Sequence, residues 1–151
     1  MTERSSVSVG TLTAHLRQDL PTVLHICAHT DEEQVALHTD GEINWVPFEL
    51  FSEALLTVTK GPRLLVLNMC NCVVLATLLG TWATTILYWA EAIDDDAARS
   101  FSGAFYRELL DGASVRAAAT SASADTPQLL GQAPQILGNP DLILVPRARL
   151  R

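Results

Sequence analysis

The sequence predicts an α/β fold with a mostly parallel sheet covered by helices, and three observations predict it. Two nearly charge-free segments rich in β-forming residues, Thr22 to His29 and Arg63 to Met69, read as interior strands, because strands buried on both faces lose the usual apolar/polar alternation. Segments of helical period lie before, between and after them, and such alternation of strand and helix implies a parallel sheet. With 151 residues, 48% of them apolar and 18% charged, the chain has material for one domain over 1–151 and one substantial core.

Taken in order, Ser8 to Leu20 places Val9, Leu12, Leu16 and Leu20 near helical period, and Pro21 stops it, so a covering helix is expected. The first strand ends at the charged turn Thr30-Asp31-Glu32-Glu33. Gln34 to Thr39 and Glu42 to Trp45 flank Asp40-Gly41, the strongest short-range signal for a tight hairpin. After Pro47, the spacing of Phe48, Leu50, Phe51, Leu55 and Leu56 predicts an amphipathic helix, which Gly61-Pro62 closes off. Beyond the Arg63 to Met69 strand, Cys72 to Leu79 is expected as a short apolar helix and Thr81 to Trp89 as a third strand. Asp94, Asp95 and Asp96 open a strong helical pattern, where carboxylates suit the unpaired amides of a first turn, and Gly112 ends it. Ala113 to Ala124 reads as an alanine-rich helix or loop, and Asp141 to Val145, after Gly138-Asn139-Pro140, as the last strand.

Charge and cysteine usage narrow the function classes. A net charge of -7 argues against a phosphate-binding face, so no nucleic-acid partner is expected. Three cysteines cannot all pair, and the first ten residues lack the apolar run of a secretory signal; reduced thiols and a cytoplasmic location follow as expectations. The uncharged run from Leu64 to Ala90 is long enough for a membrane span. It is divided by Asn68, Asn71, Gly80 and several threonines, so a strand, a buried helix and a second strand are expected instead.

In a parallel sheet, ligands gather beyond the carboxyl ends of the strands, and two strands here end in reactive side chains: His29 on the first and Cys70 on the second. If the strands are parallel neighbours, imidazole and thiol share one edge, which is what a cysteine nucleophile needs from its base. His25, Cys27 and His29 alternate along one strand and, with Cys70 or Cys72, are a conceivable zinc set. No Cys-x-x-Cys or paired-His spacing accompanies them, so neither metal nor other cofactor is expected. His25 is read as a satisfied core histidine, and His15 and His38 as surface residues. Trp45, Trp82 and Trp89 are read as core or interface fillers.

Three segments carry a resemblance to a known family. Val23-Leu24-His25-Ile26-Cys27-Ala28-His29-Thr30 resembles the signature in which an apolar strand ends in Cys-His-Gly or Ala-His-Gly. Arg63 to Cys72 resembles a second signature, an apolar strand ending in Ala-Cys before Glu and a small hydroxyl residue. Ile93 to Ala118 is similar to a third, with spaced Phe positions, Phe-Tyr and Leu-x-x-Gly before an alanine-rich helix, and the terminal Gly138-Asn139-Pro140 is similar as well. The ordered set, from Thr22 to Val145, looks like the CHAT family of caspase-like cysteine peptidases, in the clan of caspases, separases and metacaspases.

That resemblance implies a caspase-like three-layer sandwich, truncated at the N-terminus relative to larger members. It implies Cys70 as nucleophile, His29 as the catalytic histidine, an oxyanion site from the amides near Thr30 and Cys70, and a substrate pocket involving Asn68 and Asn71. It further implies a protein or peptide substrate, a regulatory protein partner and an effector role in bacterial defence. Thr30 stands where the family has Gly, Asn71 where it has Glu, and Cys72 where it has Ser or Thr. These departures motivate the alternative of a catalytically inactive caspase-like domain used for protein interaction.

Overall fold

The computed structural model describes residues 7–146; the N-terminal stretch read above for a missing secretory signal lies mostly outside them. Helix α1, Val9–Gln18, is capped by Ser8, whose hydroxyl accepts from the Thr11 amide. Strand β1, Val23–Cys27, follows, then a small antiparallel sheet of β2 (Thr30–Asp31), β3 (Gln34–Thr39) and β4 (Glu42–Pro47). Next come α2 (Phe48–Leu56), β5 (Leu64–Asn68), α3 (Val73–Leu78), β6 (Thr85–Tyr88), α4 (Asp95–Leu110), α5 (Val115–Ala124), a 3-10 turn (Pro127–Leu129) and β7 (Gln135–Gly138).

The main sheet has the order β1-β5-β6-β7; β1 and β6 flank β5 in parallel, and β7 closes the far edge antiparallel. Successive side chains point to opposite faces of a strand, so β5 feeds two cores. Leu65 and Leu67 pack with Leu16, Phe48, Phe51, Leu55 and Leu75, beneath α1, α2 and α3. Leu64 and Val66 pack with Phe101, Phe105, Val115 and Ala118, beneath α4 and α5. The result is three layers, helices on both faces of a mostly parallel sheet, as expected. The uncharged run from Leu64 to Ala90 becomes β5, α3 and β6, and no helix among the described residues is long and apolar enough to cross a membrane.

The Asp40-Gly41 hairpin forms with positive φ at both residues, the mirror-image turn that matches strand twist. Asp94 caps α4, its carboxylate accepting from the amides of Asp96 and Ala97. Three expectations differ from the structure. Strand β1, read as interior, lies at the edge of the main sheet and is half-buried, whereas β5 takes the interior place. The turn at Thr30 to Glu33 contains a two-residue strand, with Glu32 and Glu33 as its left-handed corner. The last strand precedes Gly138-Asn139-Pro140 instead of following it: Gly138 takes φ +91 against the Thr84 backbone, and Asp141 to Val145 leaves the sheet, with Leu142 buried under α5 and only an isolated bridge between Ile143 and Ser114.

Candidate active site

The parallel pairing of β1 with β5 runs in register from Val23 opposite Leu64 to Cys27 opposite Asn68. Two residues further along each chain stand His29 and Cys70, so both leave the sheet at its carboxyl edge from adjacent strands. A cross-link holds the two exits together: the Thr30 hydroxyl donates to the Cys70 carbonyl at 2.6 Å. The edge that sequence reasoning requires of these two residues is therefore shared.

Around the sulfur, the loop after β6 supplies contacts that no side chain in the sequence advertises. The Ile93 amide donates to Cys70 Sγ at 3.4 Å, and the thiol faces the Ile93 carbonyl at 3.7 Å. Cys70 is half-buried and packs against the α4/α5 core, so the sulfur is neither free in solvent nor sealed off. His29 is exposed, and among the described residues no hydrogen bond orients its ring. Its carbonyl accepts from the Ala36 amide, which fixes the backbone beside it.

The remaining predicted residues take distinct places. Asn68 lies opposite Cys27, its amide nitrogen 3.9 Å from the Cys27 sulfur and its carbonyl oxygen buried without a partner. Asn71 holds φ +52, a left-handed turn that Asn tolerates, and its amide donates to the Glu91 carbonyl at 3.4 Å. The next amide, of Cys72, donates to the Trp89 carbonyl at 2.9 Å. Both amides are thus committed within the protein. α3 begins just after Cys72 with no side-chain cap.

The other thiols and histidines divide cleanly. Cys72 points into the α1–α3 core beside the Met69 and Cys70 carbonyls, and burial, with Cys70 nearby, pushes its thiol up to about 12. Cys27 is exposed. His25 Nδ1 lies 2.7 Å from the Tyr106 hydroxyl of α4, and burial holds its pKa below the ordinary histidine value while raising that of Tyr106. The zinc arrangement does not assemble: Cys72 faces the opposite core, and among the described residues no group of three His, Cys, Asp or Glu side chains could hold a metal ion. Trp82 and Trp89 are buried as expected, whereas Trp45 on β4 is exposed.

No protein-family model matches the chain. No curated protein matches it either. The site is therefore read from its own geometry.

Proposed function

We propose that the chain is a CHAT-type, caspase-like cysteine endopeptidase in which Cys70 is the nucleophile and His29 its base. The observation that carries the reading is the paired exit of β1 and β5, with the Thr30 hydroxyl on the Cys70 carbonyl and the Ile93 amide on the Cys70 sulfur. In the reaction, His29 takes the thiol proton as Cys70 Sγ bonds to the scissile carbonyl carbon; the proton passes to the departing amine as the C–N bond breaks. Water then attacks the thioester, giving its proton through His29 back to the sulfur and releasing the new carboxylic acid. An effector role in bacterial defence, switched on by a regulatory protein, completes this proposal and rests on the resemblance of the three segments.

A second reading, an inactive caspase-like domain serving protein interaction, is favoured by one specific feature. Among the described residues nothing orients the His29 ring, and a working base is ordinarily held by a third group. Thiol alkylation separates the two. The peptidase reading expects Cys70 to react at neutral pH several-fold faster than exposed Cys27, to lose that advantage in His29→Ala, and Cys72 to stay unlabelled because its thiol is pushed to about 12. A Cys70 no faster than Cys27, and indifferent to His29, supports the interaction module.

A further inference from the structure

β1 has the composition of a covered strand and the position of an uncovered one. From Thr22 to Thr30 the chain carries no Lys, Arg, Asp or Glu, yet among the described residues β5 is the one strand that pairs with it, and Val23, Leu24 and Ile26 stay half-buried. The ladder shows which peptide groups are left over. The Leu64 amide donates to the Thr22 carbonyl, and a parallel pair bonds through alternate residues, so Thr22, Leu24 and Ile26 turn toward β5. Val23, His25 and Cys27 therefore present N–H and C=O groups outward, and nothing else among the described residues takes them up. Native proteins ordinarily blunt such an edge with charge, proline, a bulge or a cover. The sheet's other edge is blunted: β7 has four residues, lies between Pro134 and Pro140, and ends at Gly138 with φ +91. Val23–Cys27 has no charge, proline or break in register.

Geometry and charge both select the strand that fits. A second β1, run antiparallel with His25 of one copy opposite His25 of the other, sets Val23 opposite Cys27 and places all three outward residues in hydrogen-bonded pairs. A slide of two residues either way leaves one of the three without a partner. On the opposite face Leu24 meets Ile26 of the other copy, so half-buried apolar side chains cover one another. The His25 ring keeps its Tyr106 contact, because only its backbone is used. At the amino end of β1, Arg17 closes α1 and Lys60 and Arg63 precede β5, with Asp19 opposing them and α4 ending on the same side with Arg107, Glu108 and Asp111. Neither Arg17 nor Lys60 is in an ion pair with another described residue. Past the carboxyl end stand three exposed carboxylates, Asp31, Glu32 and Glu33. Antiparallel pairing sets the cationic end of each copy beside the carboxylates of the other, whereas parallel pairing sets like against like. The net charge of -7 opposes self-association at long range, and this local match offsets it.

We infer that the outer edge of β1 is a pairing surface for β1 of a second copy of this chain, joining two four-stranded sheets across a twofold axis. The inference stands whether or not Cys70 is a nucleophile.

Sedimentation velocity of the full chain over a dilution series, with amide hydrogen exchange at both ends of the series, tests the pairing. The expected result is a dimer that dissociates on dilution and weakens as salt rises. In the dimer the Val23, His25 and Cys27 amides exchange as slowly as those of Leu24 and Ile26; on dilution only the outward set becomes fast. Cys27→Pro removes an outward N–H that β5 does not use, once from each copy, and should weaken the dimer about tenfold. Cys27→Ser should leave it unchanged, and Glu33→Lys should weaken it several-fold. Where proline disturbs the strand itself, Cys27→Lys blocks the same edge with a charge. A monomer at every concentration overturns self-pairing and leaves the edge to a strand of another protein. A dimer indifferent to both Cys27→Pro and Cys27→Lys, or one lost in Leu137→Lys on β7 instead, overturns the choice of edge.

Discussion

Glu32 and Glu33 form the corner between β2 and β3, three and four residues past His29, and both occupy the left-handed region, with φ of 44 and 62. That region brings the Cβ of an ordinary residue too close to its carbonyl oxygen, which is why mirror-image turns favour Asn-Gly or Asp-Gly. The chain meets that preference in its other hairpin, at Asp40-Gly41, and forgoes it here, placing two adjacent carboxylates in the strained positions instead. Replacing Glu32-Glu33 by Asn-Gly should therefore raise stability by about 1–2 kcal/mol, seen as a higher midpoint in urea with unchanged slope. An unchanged or lower midpoint would mean that the glutamates have compensating contacts. Residues of this kind are only half legible in a sequence. The turn itself is announced by its charges, but the handedness of its corner is decided by the two-residue loop that the pairing of Asp31 with Gln34 imposes.

Elements were legible where a local signal and the tertiary demand agree. Asp94 reads as the start of α4 because its carboxylate can satisfy first-turn amides, and it does; β1 and β5 read as interior strands because nothing charged interrupts them, and both lie in the main sheet, but only β5 is interior, β1 being its half-buried edge. β7 was not legible. Gln135–Gly138 is a single short alternation, weaker on its face than Asp141-Leu142-Ile143-Leu144-Val145, yet the latter's apolar residues serve to pack Leu142 beneath α5 while the Gly138 backbone fits against Thr84. At the site, the side chains His29 and Cys70 were readable from their positions at strand ends, whereas the Ile93 amide on the sulfur was not, because a backbone donor leaves no residue-type signature. The join of β1 to α4 through His25 and Tyr106 has a pH consequence of definite sign. Burial lowers the folded-state pKa of His25, so the unfolded chain binds the extra proton first. This contribution to stability is complete above the unfolded value near 6.5 and is lost as pH falls toward and through the lower folded value. Stability should thus decline between pH 7 and 5 more steeply in the parent than in His25→Gln; parallel declines would show that other groups govern the acid limb.

For the molecule as a whole, the decisive arrangement is that α1, α2 and α3 build one hydrophobic cluster and α4 and α5 another, with a single sheet between them. Both clusters draw on β5, through Leu65 and Leu67 on one face and Leu64 and Val66 on the other, and on β6, through Ile86 and Leu87. The indole of Trp82, which donates to the Val58 carbonyl, belongs to the first cluster, and Trp89, edge-on to Phe101, belongs to the second. Because one central ribbon is the floor of both rooms, neither half can melt while the other stands. Heating should give superimposable transitions from variants keeping only Trp82 or only Trp89, and Leu65→Ala, a cost of roughly 2–5 kcal/mol on the first side, should drag both curves down together. Two separated transitions would reveal halves that come apart independently, and with them a thiol and an imidazole whose meeting depends on which half is still intact.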